Sequence, residues 1–210
     1  MAETFDRTTL AEVACADLAT DAESLRFTPI RTAKHNTSYW VDTDRGRFVL
    51  RLAPPDDAGF LFYEQRMMRQ EPTLHALIRA YTTIPVAEVV AYDFSHKQID
   101  HDHLLLTALP GVPLSDIAHL ASATIDHALH QVGGYLRQLH ALTAPTCLGV
   151  EAYGYLGDHH TMEPQPSWFV ASRVMWHKLL DDVVACGAYT RDEAQALCDL
   201  LDRYREHFAH

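Results

Sequence analysis

Glycine is sparse in this chain, nine in 210 residues, and Gly46 is the only one before Gly59. Neither G-x-x-x-x-G-K-[ST] nor G-x-G-x-x-G occurs, which removes the P-loop and Rossmann phosphate cradles. Cysteine is equally scarce. Cys15, Cys147, Cys186 and Cys198 form no C-x-x-C pair, so zinc-knuckle and thioredoxin-type readings fall away. Four reduced thiols in a cytoplasmic protein are the expectation. Positive charge is short too, 17 Lys and Arg against 28 Asp and Glu, for a net charge of −11. Such a balance argues against a nucleic-acid partner, whose phosphates call for a basic surface. Long apolar runs are lacking: the densest patch, Leu104 to Leu109, is far below the roughly 20 residues of a membrane helix. Residues 1–6 carry no basic-then-apolar secretory pattern, so no membrane partner is expected. There is also no G-x-S-x-G elbow and no cysteine-protease signature.

What is present describes a folded chain. Hydrophobic residues make up 48% and charged residues 21%, enough apolar content to bury a core. The charge is uneven. Between Arg26 and Arg51 six basic residues face only Asp42 and Asp44, a net of +4. From His101 onward the net is −7. A basic segment followed by an acidic one suits an anion on the first and a cation on the second.

Hydrophobic spacing places the elements. Thr8–Leu18 reads as a helix with Asp6 or Thr8 at its start. Residues 27–32, 38–41 and 47–52 read as strands, the last two joined by a hairpin turn at Asp44-Arg45-Gly46. Phe62–Tyr81 reads as helical, with a kink or restart expected at Pro72. Two more strands follow, Val86–Tyr92 and His103–Ala108, and Pro110-Gly111 ends the second. Then the period changes. Ile125, Leu129, Val132, Leu136 and Leu139 mark one face of a long helix. Trp168 to about Val184 forms the next, stopped by Gly187, and Thr190-x-x-Glu193 is a capping box opening a last helix that continues nearly to the end. Strands first and helices second make an α+β chain with its seam near Pro110-Gly111, dividing it into residues 1–109 and 110–210.

Few residues carry chemistry on pattern alone. Arg51 sits mid-strand between Leu50 and Leu52, a place where an inward arginine needs a carboxylate or phosphate; an exposed strand face is the alternative. Asn36, Thr37 and Ser38 have the composition of a tight anion-holding turn. His101-Asp102-His103 and His159-His160 resemble fragments of a metal site, but no third ligand is convincingly spaced, and solvated turns are the expected reading. His140 reads as a core or boundary histidine beside the Leu139 stripe.

The order of these features is that of a known family. The hairpin with Asn36-Thr37-Ser38, the strand Phe48-Val49-Leu50-Arg51-Leu52, Glu71 ahead of Ile84-Pro85-Val86, the strand and joint from Leu104 to Leu114, Gly134 to His140, Tyr153-Gly154 and Ser167-Trp168 together resemble the aminoglycoside phosphotransferase family. The resemblance implies a protein-kinase-like fold: a small antiparallel β-sheet N-lobe with one long helix, joined to a helical C-lobe. It implies an enzyme that uses ATP or GTP with Mg²⁺ to phosphorylate the hydroxyl of a small molecule, a cationic one given the acidic half. It also implies roles. Arg51 would pair with the nucleotide phosphates and Glu71 would hold that cation, with Glu64 as runner-up because Pro72 disturbs the residue before it. Asn36, Thr37 and Ser38 would lie over the phosphates. Thr107, Ala108 and Leu109 would form the hinge that reads the base edge. Leu52, Val89 and Leu106 would line the base slot, or else pack in the core.

One part of the family pattern is not found. The catalytic H-G-D-x-x-x-x-N and the metal-binding Asp after it do not occur, and Leu156-Gly157-Asp158 has Glu163 where Asn belongs. No catalytic or metal-binding residue is therefore assigned. The expectation is the N-terminal two-thirds of such an enzyme, with an incomplete C-lobe and no activity by itself. A pseudokinase-like module that binds nucleotide or a partner is the alternative, and a homodimer through uncovered apolar C-lobe surface is a further expectation.

Overall fold

A computed structural model describes residues 4–32, 35–55, 59–117, 119–143, 152–154 and 164–208. Lys34, Cys147, the Leu156-Gly157-Asp158 tripeptide, His159-His160 and Glu163 lie outside the described residues. No helix among the described residues is long and apolar enough to cross a membrane.

Helix α1 spans Arg7–Leu18, and the Asp6 carboxylate accepts the Thr9 amide to cap it. Five strands follow: β1 (Arg26–Pro29), β2 (Thr37–Thr43), β3 (Gly46–Leu52), β4 (Val89–Asp93) and β5 (His103–Thr107). They form one antiparallel sheet in the order β1-β2-β3-β5-β4. Thr43 pairs with Gly46, so the β2–β3 loop is Asp44-Arg45. Gly46 takes φ +132°, open to glycine and rare for other residues. The Arg45 guanidinium donates to the Leu18 carbonyl and ties the hairpin tip to the last turn of α1.

The period-two rule separates the two sheet faces. Tyr39, Val41, Leu50, Leu52 and Leu105 cluster with Leu10, Val13, Ala14 and Leu18 of α1, and Val41, Leu50, Leu52 and Leu105 are fully buried. That face is the core of the sheet unit. Residues of opposite parity (Ser38, Trp40, Val49, Arg51, Leu104, Leu106) point the other way.

The Phe62–Tyr81 stretch is not one helix. It holds 3-10 turns at Phe62–Glu64 and Met67–Gln70, and α2 proper is Glu71–Tyr81. Arg66 takes φ +52°, which breaks any continuous helix. Pro72 falls in the first turn of α2, where a missing N–H leaves no bond unmade, so the proline starts the helix and does not kink it. The strand expected to start at Val86 begins at Val89, because Val86 and Ala87 offer their carbonyls to Arg79 and His75 of α2.

Helix α3 spans Ser122–His140. Its apolar stripe is where the periodicity places it, but Ile125, Leu129, Val132, Leu136 and Leu139 are 40–62% exposed. His140 is exposed as well, against the core or boundary position expected for it. Periodicity selects a face and does not supply what covers it. Helix α4 spans Trp168–Ala185, with Ser167 accepting the Val170 amide, and α5 spans Arg191–Arg203 with the Thr190–Glu193 capping box formed. The α-helix ends at Arg203 and a 3-10 turn, Arg205–Phe208, replaces its expected continuation. Leu180, Ala194 and Cys198 make a second core where α4 and α5 meet.

The chain forms two compact units, and the division is not a single cut at residue 109. One unit is Met1–Pro54 with Pro72–Leu148; the other is Pro55–Glu71 with Gly149–His210. Gln138 of α3 accepts the amide and hydroxyl of Thr83, which keeps α3 with the sheet. Phe62 is held by α4, which takes the segment from 55 to 71 into the helical unit. Pro110-Gly111 marks a turn within the first unit.

Candidate functional site

Arg51 is half-buried on β3, between the fully buried Leu50 and Leu52. Its cross-strand neighbours are Ser38 on β2 and Leu104 on β5. Ser38 is only 7% exposed, so a hydroxyl and a guanidinium share one row of the face away from α1. The adjacent row on that face is apolar: Trp40, Val49, Leu106 and Val89 succeed one another across β2, β3, β5 and β4. Two residues of strand separate the rows by about 7 Å. A bulge between Val89 and Ala91 keeps Val89 in register with Leu106.

This geometry sorts the sequence-predicted residues. Arg51, Ser38, Leu106 and Val89 share a face. Leu52 does not: neighbouring residues of a strand point to opposite sides, and Leu52 lies in the α1 core, where its core-packing alternative applies. Asn36 and Thr37 lead into β2, half-buried, and Thr37 pairs with Leu52. Thr107 ends β5. Its amide donates to Glu88 O, its hydroxyl accepts the Glu88 amide, and the Ala108 amide donates to Arg47 O. With those two amides committed, any reading of a base edge falls to the 49%-exposed Leu109 and its neighbours. Glu71 opens α2, half-buried. The Glu64 carboxylate accepts the Leu61 amide at 3.0 Å and so caps its own turn. Trp40 and Val49 were not singled out by sequence reasoning. Strand parity from Arg51 identifies Val49, and the two-residue hairpin loop then brings Trp40 opposite it.

Charge at the hairpin end is locked. The Arg47 guanidinium donates to both oxygens of Asp42, at 2.6 and 3.2 Å, and lies 5.4 Å from the Trp40 ring centroid. The bond to Arg47 holds the Asp42 carboxyl below the usual carboxylate range.

Three of the described histidines are engaged in structure. His101 is buried, donates from Nδ1 to Ala53 O and meets the Phe5 ring edge-on. His103 is fully buried with Nε2 3.3 Å from Asp17 Oδ2, close but not aligned as a hydrogen bond. His96 bridges Asp102 and Asp100 at 2.9 and 3.1 Å, and the Asp102 bond raises its pKa above the usual imidazole range. Among the described residues no group of three or more His, Cys, Asp or Glu is arranged to hold a metal ion. Cys15, Cys186 and Cys198 are unbridged, and burial raises the thiols of Cys15 and Cys198, away from a reactive thiolate.

A five-stranded antiparallel sheet backed by one helix, followed by helices, is the layout of a protein-kinase-like fold. The comparisons agree. Residues 26–207 match the phosphotransferase enzyme family, and the chain belongs to that family. A crystal structure of a candidate aminoglycoside phosphotransferase from Ralstonia eutropha JMP134 is similar in fold, with a TM-score of 0.55 at 15% identity. The similarity covers 84% of this chain and 48% of that one, so this chain spans about half the length of the structure it resembles. No curated protein matches the sequence.

Proposed function

We propose that this chain supplies the nucleotide side of an ATP- or GTP-dependent transfer of a phosphoryl group to a small-molecule hydroxyl. One observation carries the reading: the register aligns Arg51 and the buried Ser38 in one row and Trp40, Val49, Leu106 and Val89 in the next. A base seeks apolar contact, and a triphosphate seeks a fixed cation and hydroxyl donors. The two rows offer both on one face, about 7 Å apart. In this reading Arg51 neutralises the phosphates. Asn36 and Ser38 close over the phosphates, and the backbone at Leu109 and its neighbours meets the base. ATP would supply the transferable phosphoryl group, with Mg²⁺ offsetting its charge.

The catalytic H-G-D-x-x-x-x-N is not among these 210 residues, so the chain by itself binds nucleotide weakly and does not turn it over. That favours a binding module as the second reading of this stretch. The net charge of −7 from His101 onward suits a cationic substrate. The unbridged thiols suit the reducing cytoplasm. The exposed α3 stripe suits self-association, which light scattering across a concentration series tests.

The direct test is displacement of a fluorescent nucleotide analogue. Saturable binding to the wild-type chain, lost in Arg51→Gln and retained in the surface variant Arg191→Gln, supports the reading. Equal binding by the wild-type and Arg51→Gln chains overturns it.

A further inference from the structure

The face that carries Arg51 holds a ladder of three cross-strand pairs between β2 and β3: Ser38 with Arg51, Trp40 with Val49, and Asp42 with Arg47. Residues two apart on a strand share a face, so the Trp40 indole has an arginine row on either side. All six residues belong to the sheet unit. The two arginines differ. Arg51 is half-buried, whereas Arg47 is exposed but fixed. Its Nε and Nη2 donate to separate oxygens of Asp42, at 2.6 and 3.2 Å. A two-bond fork sets the plane of a guanidinium as well as its place. The Arg47 Cζ then lies over the Trp40 ring, 5.4 Å from its centroid. An exposed ion pair of this kind adds little to stability. Its consequence here is orientation, because the half-buried indole meets a planar cation that Asp42 holds still. At the end of β5 two backbone amides are already committed: Thr107 donates to Glu88 O at 2.9 Å and Ala108 to Arg47 O at 3.2 Å. Those amides do not read a base edge, so contact with a ring face carries more of the recognition.

We propose that Trp40 is the stacking platform for the nucleobase, and that Arg47 and Asp42 are positioning residues that fix its indole. The inference rests on the proposed nucleotide site and names how that site takes the base. Arg47 covers one face of the indole, and the base takes the other. Stacking gives contact without reading an edge, so adenine and guanine nucleotides are taken alike. Arg47 acts through its plane and its two bonds to Asp42. Lysine keeps the charge but has no fork, so it does not replace arginine in this role.

The binding test uses ribose-labelled analogues of ATP and GTP on the 210-residue chain, with inorganic tripolyphosphate as a competitor that has no base. Trp40→Leu should weaken both analogues about tenfold and leave tripolyphosphate within about twofold of wild type. Trp40→Phe keeps a ring and should restore most of the binding. Arg47→Lys and Asp42→Asn, both on the exposed pair, should each weaken both analogues about threefold and add nothing to Trp40→Leu. Unchanged binding by Trp40→Leu beside a clear effect of Arg51→Gln overturns the proposal. So does a loss confined to one base, or a loss of tripolyphosphate as large as that of the analogues. Full binding by Arg47→Lys beside a loss in Arg47→Gln would make Arg47 a phosphate-pairing cation and overturns its positioning role. The second arm needs no nucleotide. With Trp168→Phe and Trp176→Phe in the background, Trp40 is the one indole left in the chain. Its time-resolved anisotropy should show faster local motion in Arg47→Lys and in Asp42→Asn, and decays equal to those of the parent overturn the positioning. If Arg51→Gln and Trp40→Leu both leave binding unchanged, the nucleotide reading fails and the base contact fails with it. The anisotropy then still decides whether Arg47 and Asp42 fix the indole.

Discussion

Leu52→Ala separates the two faces of the sheet more sharply than any other single change. Leu52 adjoins Arg51 in sequence but lies on the α1 side, fully buried among Tyr39, Val41, Leu50 and Leu105. Truncation removes three carbons from a filled core. The transfer loss and the residual cavity together cost about 3 kcal/mol. With a urea dependence of about 2 kcal/mol per molar, the unfolding midpoint of the sheet unit falls by about 1.5 M. Val49→Ala, half-buried on the Arg51 face, should cost only about 1 kcal/mol and move the midpoint by about 0.5 M. Binding of a nucleotide analogue should rank the other way at temperatures where both variants stay folded. Val49→Ala weakens it and Leu52→Ala leaves it within about twofold of wild type, less than about 0.4 kcal/mol. Urea unfolding followed by tryptophan fluorescence, paired with the binding titration, makes the comparison. A midpoint shift below about 0.5 M for Leu52→Ala would refute the burial argument. A large loss of affinity in the fully folded Leu52→Ala variant would refute the assignment of faces.

Two further outcomes follow from local geometry. The bond to Asp102 raises the pKa of His96, so the stabilisation it contributes is fully present below the unfolded imidazole value of about 6.5 and is lost as pH rises through the higher folded value. The melting temperature of wild type relative to His96→Asn should therefore narrow between pH 6 and pH 9; a gap independent of pH removes the ion-pair account. Pro72 stands in the first turn of α2 and Ala76 at its exposed centre, so Pro72→Ala should be nearly neutral and Ala76→Pro should cost about 3 kcal/mol. Circular dichroism with urea unfolding checks both, and a large loss from Pro72→Ala would mean that the proline shapes the segment before it.

Much of the site was legible without coordinates. The Asp44-Arg45 loop sets the β2–β3 register, and strand parity then puts Ser38 opposite Arg51 and Trp40 opposite Val49. The same parity separates Leu52 from Arg51, a consequence that the family pattern alone does not state. The His101-Asp102-His103 run was less legible, since composition cannot distinguish a ligand from a side chain already bonded to Ala53, as His101 is. The segment from 62 to 70 was the least legible. Its hydrophobic spacing suits a helix, and only the left-handed turn at Arg66 and the hold of α4 on Phe62 make it two short turns.

By itself the sequence determined most element types, though not that of residues 62 to 70, together with the hairpin register, the capping of the last helix and membership of the family. These depend on local preference and period, which act over a few residues. Tertiary structure decided which face of the sheet became the core, which unit claimed residues 55 to 71, and whether the α3 stripe was covered. Those outcomes depend on partners distant in sequence, from α1 against the sheet to Phe62 and Asp182, 120 residues apart, and no local preference encodes where such a partner will be.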